Sequence, residues 1–296
     1  MTHRVPRRRW LQSAGLIGSA AWAQASFTEA QADESPVATK GRIKQSLVHW
    51  CYAGHWKEFD ELCKTAVRLG CKSIELCDVK HWPTLKKHGL TCAIASSHGF
   101  PKGFNNPGEW AECTAKLKEQ IDRCVEFGVE RVITFTGMAN GISKEEGAAN
   151  CVKGIKEAVG YAEKKGIDLC LEMLNSRDAT EMKGHPGYQG DDMEYCIGII
   201  NQVGSPRLMV LFDIYHVQIM HGDVIRRIRQ HKEHIGHVHT AGNPGRGELD
   251  DTQEIAYPGI MKTLLDVGYS GYVGQEFIPT RDAWGGLKEA VALCDV

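Results

Sequence analysis

The sequence predicts an α/β fold, a single (β/α)8 TIM barrel, and three observations support this. Short apolar segments alternate with amphipathic helical patterns over most of the chain. A glycine follows the end of four predicted helices, where a left-handed residue is needed before the next strand. Four apolar segments in the second half each end in a carboxylate or a histidine. In such a barrel, the carboxyl ends of the strands meet at one mouth.

The elements follow from the spacing of apolar residues. The predicted strands cover residues 45–52, 72–77, 91–96, 130–136, 167–173, 208–213, 235–240 and 272–277. The predicted helices cover residues 56–69, 110–127, 144–165, 191–203, 223–231 and 257–267. The glycines are Gly70, Gly128, Gly166 and Gly268. An open doubly wound sheet is the alternative, although no G-x-G-x-x-G pattern follows the first strand.

The N-terminus predicts an export signal over residues 1–25. Arg7-Arg8-Arg9-Trp10-Leu11 resembles a twin-arginine motif, an apolar stretch follows, and Ala23-Gln24-Ala25 has the form of a cleavage site. A basic, disordered N-terminus and a single membrane anchor are the alternatives, but the apolar stretch is short for a span. We therefore expect a periplasmic or other extracytoplasmic protein, with a linker over residues 26–42 and one catalytic barrel over residues 43–296.

Charge gives no indication of a nucleic-acid partner. The 296 residues carry a formal net charge of −2, and removing residues 1–25 takes away four arginines and no acidic residue. The mature chain is then more acidic still, which does not favour binding to phosphate backbones. Beyond the signal, no segment predicts a bilayer span, so stable membrane insertion after cleavage is not expected. A homo-oligomer is left open.

The eleven cysteines are scattered, without C-x-x-C or paired spacing. Most lie in apolar contexts, such as Cys71, Cys92 and Cys170. This pattern is typical of buried small hydrophobes in a chain that folds under reducing conditions, rather than of a disulfide framework. A catalytic thiol is the less favoured alternative.

Four strand ends predict a metal site. Glu172, Asp213, His239 and Glu276 each end one apolar segment of the second half. Oxygen ligands with one nitrogen suit Mg²⁺ or Mn²⁺ and, less well, Zn²⁺. A single strand-end acid could equally be a loop cap or a surface ion pair, so the prediction rests on all four together.

Two neighbouring residues extend the predicted site towards a substrate. His216 lies three residues after Asp213, where it could hydrogen-bond a substrate oxygen or cap the following helix. Arg246 lies in a loop rich in turn-forming residues, where it could bind a substrate carboxylate or polyol or face solvent.

Three further polar residues near strand ends have weaker signals. His237 shares a strand face with His239 and is expected to be buried and hydrogen-bonded rather than a ligand. Glu75 and His98 could line the pocket, but a structural role is at least as well supported.

The ligand set indicates proton transfer next to a carbonyl group. A metal can bind the carbonyl and hydroxyl oxygens of a small α-hydroxy-carbonyl substrate and stabilise its enediolate. One glutamate would remove the proton, and the other would return it at the neighbouring carbon or on the opposite face. Glu172 and Glu276 are the predicted pair, because Asp213 is shorter and suits a ligand role.

Several stretches resemble the hydroxypyruvate isomerase family within the xylose-isomerase-like TIM-barrel superfamily. They are Phe212-Asp213-Ile214-Tyr215-His216, Ile235-Gly236-His237, Asn243-Pro244 with Arg246-Gly247-Glu248, Gly271-Tyr272-Val273-Gly274-Gln275-Glu276 and Phe104-Asn105-Asn106-Pro107-Gly108-Glu109-Trp110. The resemblance covers the chain from about residue 43 onward and implies reversible conversion of hydroxypyruvate to tartronate semialdehyde. It also implies an acid–base role for Glu172 and Glu276, and, from the related ketose 3-epimerases, substrate contacts for His216 and Arg246.

Two features separate this chain from that family. His239 stands where hydroxypyruvate isomerases often carry glutamine and where epimerases carry a metal-binding histidine. The export signal is also unusual for an enzyme of an intracellular metabolite. The alternatives are an exported ketose or sugar-derivative 3-epimerase, a catalytically silent sugar-binding barrel, and an endonuclease of the same barrel class. The acidic charge opposes an endonuclease, and the glutamate pair opposes a silent binder. The expected partner remains a small hydroxy-keto acid or sugar.

Overall fold

A parallel sheet forms the centre of the protein in the computed structural model, which describes residues 35–296. Its strands are β1 Lys44–Val48, β2 Ser73–Glu75, β3 Arg131–Thr134, β4 Asp168–Glu172, β5 Leu208–Asp213, β6 Ile235–Thr240 and β7 Tyr272–Gln275. They lie in the order β2-β1-β7-β6-β5-β4-β3, and every described pairing is parallel.

The sheet closes through an irregular segment between β2 and β3. Thr91 forms a parallel bridge with Ser73 of β2, and Ala95 forms one with Val132 of β3. The backbone N–H of Ala95 donates to the carbonyl of Arg131 at 2.9 Å. Residues 91–95 therefore fill the gap in the ring between β2 and β3 and complete the eight positions of the barrel. The sequence predicts a regular strand here, but the segment forms only isolated bridges. The predicted barrel is confirmed.

Helices cover the outside of the barrel, as buried parallel strands require. They are α1 His49–Tyr52, α2 Phe59–Leu69, α3 Trp82–Lys87, α4 Trp110–Phe127, α5 Lys144–Lys165, α6 Met193–Val203, α7 Ile214–Met220, α8 Val224–His231, α9 Tyr257–Asp266 and α10 Ala283–Cys294. The six predicted helices agree with α2, α4, α5, α6, α8 and α9 to within three residues at each end.

The glycines after four of these helices adopt the predicted left-handed backbone. The φ angles are 84° for Gly70, 73° for Gly128, 74° for Gly166 and 81° for Gly268. A residue with a Cβ is strained in this region, so glycine ends the helix and directs the chain towards the next strand.

The first predicted strand is too long in the sequence-based assignment. The sequence predicts one strand over residues 45–52, but β1 ends at Val48 and α1 begins at His49. The backbone N–H of Ala53 donates to the carbonyl of His49 at 2.9 Å, which closes a helical turn. The turn directs Trp50 to the cavity at the mouth of the barrel.

The cysteines are all buried and unpaired, as the sequence predicts. Burial raises the pKa of thiols such as Cys71 and Cys170, in both cases to about 12, so these thiols stay protonated at neutral pH. They serve as small core side chains.

The predicted signal over residues 1–25 lies outside the described residues and stays a prediction. Within the segment predicted as a linker, the backbone N–H groups of Thr39 and Lys40 donate to Asp295 Oδ2 at 2.8 and 3.0 Å. Ala38 N donates to the carbonyl of Leu69 at 2.9 Å. Residues 38–40 are thus attached to the barrel. In residues 35–296, no helix has the length and apolar character needed to cross a membrane.

Candidate active site

Four strand ends converge at the mouth of the barrel. Glu172 ends β4, Asp213 ends β5, His239 lies in β6, and Glu276 follows β7 directly. The strand register aligns Asp213 with His239. One ligand atom from each residue lies within 4.8 Å of the others, and all four side chains are buried. The structure therefore brings together the four residues that the sequence predicts as a metal site.

The distances between these groups suit a bound cation. His239 Nδ1 lies 3.2 Å from Glu276 Oε2 and 3.6 Å from Glu172 Oε1. Adjacent ligands of an octahedral ion with bonds of about 2.1 Å are about 3 Å apart. Glu172 Oε1, Asp213 Oδ2 and His239 Nδ1 are buried and have no hydrogen-bond partner among residues 35–296. Such buried orphan atoms are rare unless an ion or water satisfies them. The residues present therefore fit a divalent ion.

The electrostatics of the cluster lead to the same conclusion. Burial, and then the charge of Glu276, raises the pKa of Asp213 to about 8. Burial also raises the pKa of Glu172. Burial would raise the pKa of Glu276 too, but the charges of His239 and Arg246 outweigh it and hold that pKa well below its ordinary value. Three carboxyl groups in one buried space cannot all ionise at low cost unless a cation joins them.

His239 is held from its other side by Glu75, at the end of β2. His239 Nε2 lies 2.8 Å from Glu75 Oε1, and His237 Nε2 lies 2.7 Å from the same oxygen. His237 is thus buried and hydrogen-bonded, as the sequence predicts. Glu75 is fully buried and contacts His239 of the four-residue cluster, whereas the sequence leaves open whether it lines the pocket or has a structural role.

His216 lies beside the cluster on the first turn of α7. Asp213 Oδ1 accepts from the backbone N–H groups of Tyr215 and His216 at 2.8 and 3.2 Å, so Asp213 caps this helix. The backbone N–H of Asn175 donates to His216 Nδ1 at 3.1 Å. Burial, and then the charge of Arg246, lowers the pKa of His216 well below its ordinary value. The ring is therefore neutral with its proton on Nε2, which lies 3.7 Å from Asp213 Oδ2.

Arg246 is buried at the site and is not a solvated side chain. Its Nη2 lies 2.8 Å from Glu276 Oε2, and its Nη1 donates to the carbonyl of Met182 at 2.8 Å. The guanidinium lies 5.2 Å from the ring centre of Trp50 and 5.7 Å from that of Tyr215. This arrangement fixes a positive charge directly beside one of the two glutamates.

A cavity of about 300 Å³ opens beside the cluster. Glu172, Glu276 and Arg246 are among the residues that line it. The apolar lining residues are Trp50, Leu76, Phe100, Ile133, Phe135, Leu174 and Met182. The volume is at the small end of the range for ligand pockets, which suits a small substrate.

The cavity contains residues that the sequence did not single out. Trp50 Nε1 donates to Glu276 Oε1 at 3.3 Å. His185 lies against Phe100, with ring centres 4.1 Å apart, and burial lowers its pKa to about 4. His98 does line the cavity, but its ring nitrogens lie 3.1 Å from the carbonyl of Lys102 and 3.0 Å from Thr134 Oγ1. No spacing in the sequence marks either residue, because Trp50 enters the site from the short helix α1 and His185 from a loop.

Comparison with known proteins identifies the family. A family model described as a xylose isomerase-like TIM barrel matches residues 63–293. The chain belongs to the xylose isomerase-like TIM barrel family. The family predicted from the sequence motifs is thereby confirmed.

Two relatives carry the names of isomerases. The chain is 30% identical over 218 residues to 2-oxo-tetronate isomerase of Cupriavidus necator, covering 69% of this chain and 78% of that protein. It is 32% identical over 183 residues to hydroxypyruvate isomerase of Escherichia coli K12, covering 62% of this chain and 68% of that protein. The likeness to these two named isomerases shows that this chain is an enzyme of the isomerase class.

Solved structures share the fold. An AP endonuclease of family 2 from Brucella melitensis has a TM-score of 0.73 and 25% identity, covering 83% of this chain and 96% of that one. D-psicose 3-epimerase from Clostridium cellulolyticum H10 has a TM-score of 0.65 and 18% identity, covering 86% and 96%. The likeness to the epimerase shows a common barrel.

Proposed function

We propose that the protein is a metal-dependent isomerase of a small hydroxy-keto compound, with Glu172 and Glu276 as the proton-transfer pair. One observation carries the proposal. Of the four clustered residues, Glu172 and Glu276 line the cavity, whereas Asp213 and His239 do not. A substrate in the cavity would therefore meet two carboxyl groups directly, while the other two side chains remain free to act as ligands.

Glu172, Asp213, His239 and Glu276 would hold the ion. Three carboxylates and one imidazole favour Mg²⁺ or Mn²⁺, and one nitrogen ligand keeps Zn²⁺ within the range of the site. When bound, a divalent ion supplies positive charge beside the substrate carbonyl and favours the enediolate.

The surroundings of the two glutamates favour different roles. Trp50 Nε1 and Arg246 Nη2 each contact one oxygen of Glu276, at 3.3 and 2.8 Å, and both donors favour its ionised form. Glu172 has a raised pKa because it is buried, which favours its protonated form. Two carboxyl groups whose pKa values are pushed apart are typical of a base and an acid in one site.

The proposed isomerisation consists of three proton movements. Glu276 takes the proton from the carbon next to the substrate carbonyl, and Glu172 gives its proton to the former carbonyl carbon. The substrate hydroxyl proton moves to the former carbonyl oxygen, which completes an aldose–ketose type isomerisation. The reverse reaction exchanges the roles of the two glutamates.

His216 and Arg246 support this chemistry from either side. Within the described residues His216 Nε2 has no hydrogen-bond partner, so its proton can be donated to a substrate oxygen. Arg246 is paired with Glu276, so its first role is to keep that carboxylate charged and oriented. Contact of Arg246 with a substrate oxygen is compatible with this pairing, because it lines the cavity.

Hydroxypyruvate, converted to tartronate semialdehyde, is the first substrate we propose. Its support is the sequence likeness to proteins named hydroxypyruvate isomerase and 2-oxo-tetronate isomerase. Epimerisation of a ketose or sugar derivative is the second candidate. It is favoured by His239, whose Nδ1 faces the glutamates and offers a histidine ligand, as in the epimerases that the sequence resembles at this position.

One experiment separates these readings. The purified enzyme, treated with a chelator and then reloaded with Mg²⁺ or Mn²⁺, is incubated in heavy water with hydroxypyruvate, a 2-oxo-tetronate and a set of ketoses. Mass spectrometry and NMR follow deuterium uptake and product identity. Metal-dependent uptake with a shifted carbonyl supports isomerisation, and uptake with an inverted centre supports epimerisation. Absence of uptake with every compound contradicts the proposal and leaves a silent binder.

We also propose that residues 1–25 direct export by the twin-arginine route. The arginine pair, the apolar stretch and Ala23-Gln24-Ala25 support it. Replacing Arg7 and Arg8 by lysine should retain the full-length protein in the cytoplasm, with cell fractionation and N-terminal sequencing as the measurements. Unchanged export of that variant would contradict the proposal.

A further inference from the structure

Two histidines of β6 converge on one oxygen of Glu75. His237 Nε2 lies 2.7 Å and His239 Nε2 lies 2.8 Å from Glu75 Oε1. All three side chains are fully buried. The two rings stand at 90° with centres 5.0 Å apart, so each approaches the oxygen from its own direction. A carboxylate oxygen has two lone pairs and can accept both N–H groups.

These distances distinguish hydrogen bonds from a second metal site. Two ligands at right angles on an ion with bonds of about 2.1 Å are about 3 Å apart, and tetrahedral ligands are farther apart. The contacts of Glu75 are shorter than that and lie in the range of charge-assisted hydrogen bonds. On the other edge of the His239 ring, Nδ1 lies 3.2 and 3.6 Å from Glu276 and Glu172, as metal ligands would.

We propose that Glu75 is a positioning residue, which keeps a proton on His239 Nε2 and so presents the lone pair of Nδ1 to the metal. This inference rests on the proposed function, because it assumes an ion among the four clustered residues. An imidazole nitrogen binds a metal only when it carries no proton, and the partner of the other nitrogen decides which one that is. In its charged form Glu75 can accept hydrogen bonds but cannot donate them, so His239 Nε2 must carry the proton that it donates to Glu75.

Gly274 of β7 makes room for this arrangement. The strand register pairs Gly274 with His239. A Cβ on Gly274 would lie 2.5 Å from Glu75 Oε1 and 2.9 Å from His239 Cδ2. Any larger residue there must displace the carboxylate or the ring. The absence of a side chain at position 274 is thus an independent sign that the contact between Glu75 and His239 is built into the barrel.

His237 holds the carboxylate in place. It donates to the same oxygen as His239, and its own Nδ1 has no partner within the described part of the chain. Without His237, Glu75 would have one donor fewer and more rotational freedom. We therefore infer that His237 positions Glu75, and that Glu75 positions His239 at the metal cluster.

The test measures Mn²⁺ affinity and stoichiometry by calorimetry, on full-length protein without substrate. The variants are Glu75→Gln, which keeps the size and removes the charge, and Gly274→Ala, which keeps both groups and removes the space. Glu248→Gln is the matched control, because Glu248 is a buried glutamate that accepts from Thr280 and does not contact a histidine.

The expected result is one ion in the wild type and a Mn²⁺ affinity weaker by about 10- to 100-fold in Glu75→Gln, as for other partners of ligand histidines. Gly274→Ala should also bind more weakly, and Glu248→Gln should bind as the wild type does. An affinity of Glu75→Gln within twofold of the wild type overturns the inference. Two ions per chain overturn it as well, since Glu75 would then be a ligand.

A second measurement needs no variant. Nitrogen NMR of the histidines in the Mg²⁺-loaded wild type should show a proton on His239 Nε2 and none on Nδ1. A protonated Nδ1 overturns the inference and removes His239 from the ligand set, whereas bound Mg²⁺ would still support a metal site at the three carboxylates. A wild type that binds no divalent ion contradicts both, so the two failures are distinguishable.

Discussion

Asp213 should make the metal-free protein less stable as the pH rises. Burial, and then the charge of Glu276, raises its pKa to about 8, against 3.8 in the unfolded chain. Between these values the folded state keeps a proton that the unfolded state has lost. The stabilisation is therefore fully present below pH 3.8 and is lost as the pH rises through 8.

The size of the effect follows from the two pKa values. Each pH unit within the window costs about 1.4 kcal/mol, so the contribution of Asp213 to the free energy of unfolding should fall by about 3 kcal/mol between pH 5 and pH 7. Glu276 has a lowered pKa and acts in the opposite direction, but only below pH 4.5. Histidines with lowered pKa values, such as His185 and His216, make the folded state more stable as the pH rises through this window. The contribution of Asp213 is therefore the difference between the wild type and a variant that lacks this carboxyl group.

The Asp213→Asn variant supplies the control. Asparagine can still accept from the backbone N–H groups of Tyr215 and His216, so the cap of α7 is kept. Urea unfolding of chelator-treated protein at several pH values measures the slope for both chains. From pH 5 to pH 7 the wild type should lose about 3 kcal/mol of unfolding free energy relative to the variant, and at pH 7 the variant should be more stable than the metal-free wild type. Equal slopes in the two chains would refute the reasoning.

Three further predictions concern the same barrel. Arg246→Lys loses the planar guanidinium that contacts Glu276 and should lower kcat/KM by about 10- to 100-fold in steady-state kinetics, because such charged hydrogen bonds contribute about 1.5–3 kcal/mol. An unchanged kcat/KM would contradict the assigned pairing. Phe277→Ala leaves a cavity where a fully buried ring packs against Tyr52, and it should lower the free energy of unfolding by about 3–5 kcal/mol in chemical denaturation. A decrease below about 1 kcal/mol would contradict this prediction. A thiol reagent should label no cysteine of the native protein and all eleven after denaturation, whereas rapid native labelling would show that some thiols are accessible.

The sequence predicted the barrel and the four-residue cluster because both follow from repeating local signals. Glycine after a helix and a polar residue after an apolar strand are visible in the chain itself. Parallel strands then place Glu172, Asp213, His239 and Glu276 together without further information. The third strand is the one that the sequence predicts least accurately, because residues 91–95 form only isolated bridges with their neighbours and no continuous ladder.

The sequence does not predict which side chains contact one another at the site. Arg246 lies in a loop, and its pairing with Glu276 depends on loop geometry that spacing does not encode. Glu75 is separated from His239 by 164 positions, and only the closure of the barrel brings them together. Trp50 was assigned to a strand, although it lies on the short helix α1 and donates to Glu276.

The central claim is that Glu172 and Glu276 transfer the proton at a metal site. The most direct measurement is solvent-deuterium exchange into substrate by Glu172→Gln and Glu276→Gln, after metal loading is confirmed for each, with Glu248→Gln as the control. We predict that each variant loses at least about 100-fold of the exchange rate in the direction in which that glutamate is the base, Glu276→Gln with hydroxypyruvate and Glu172→Gln with tartronate semialdehyde, as expected for general acid–base groups. The control should exchange normally in both directions. Exchange at the wild-type rate in both variants would contradict the claim.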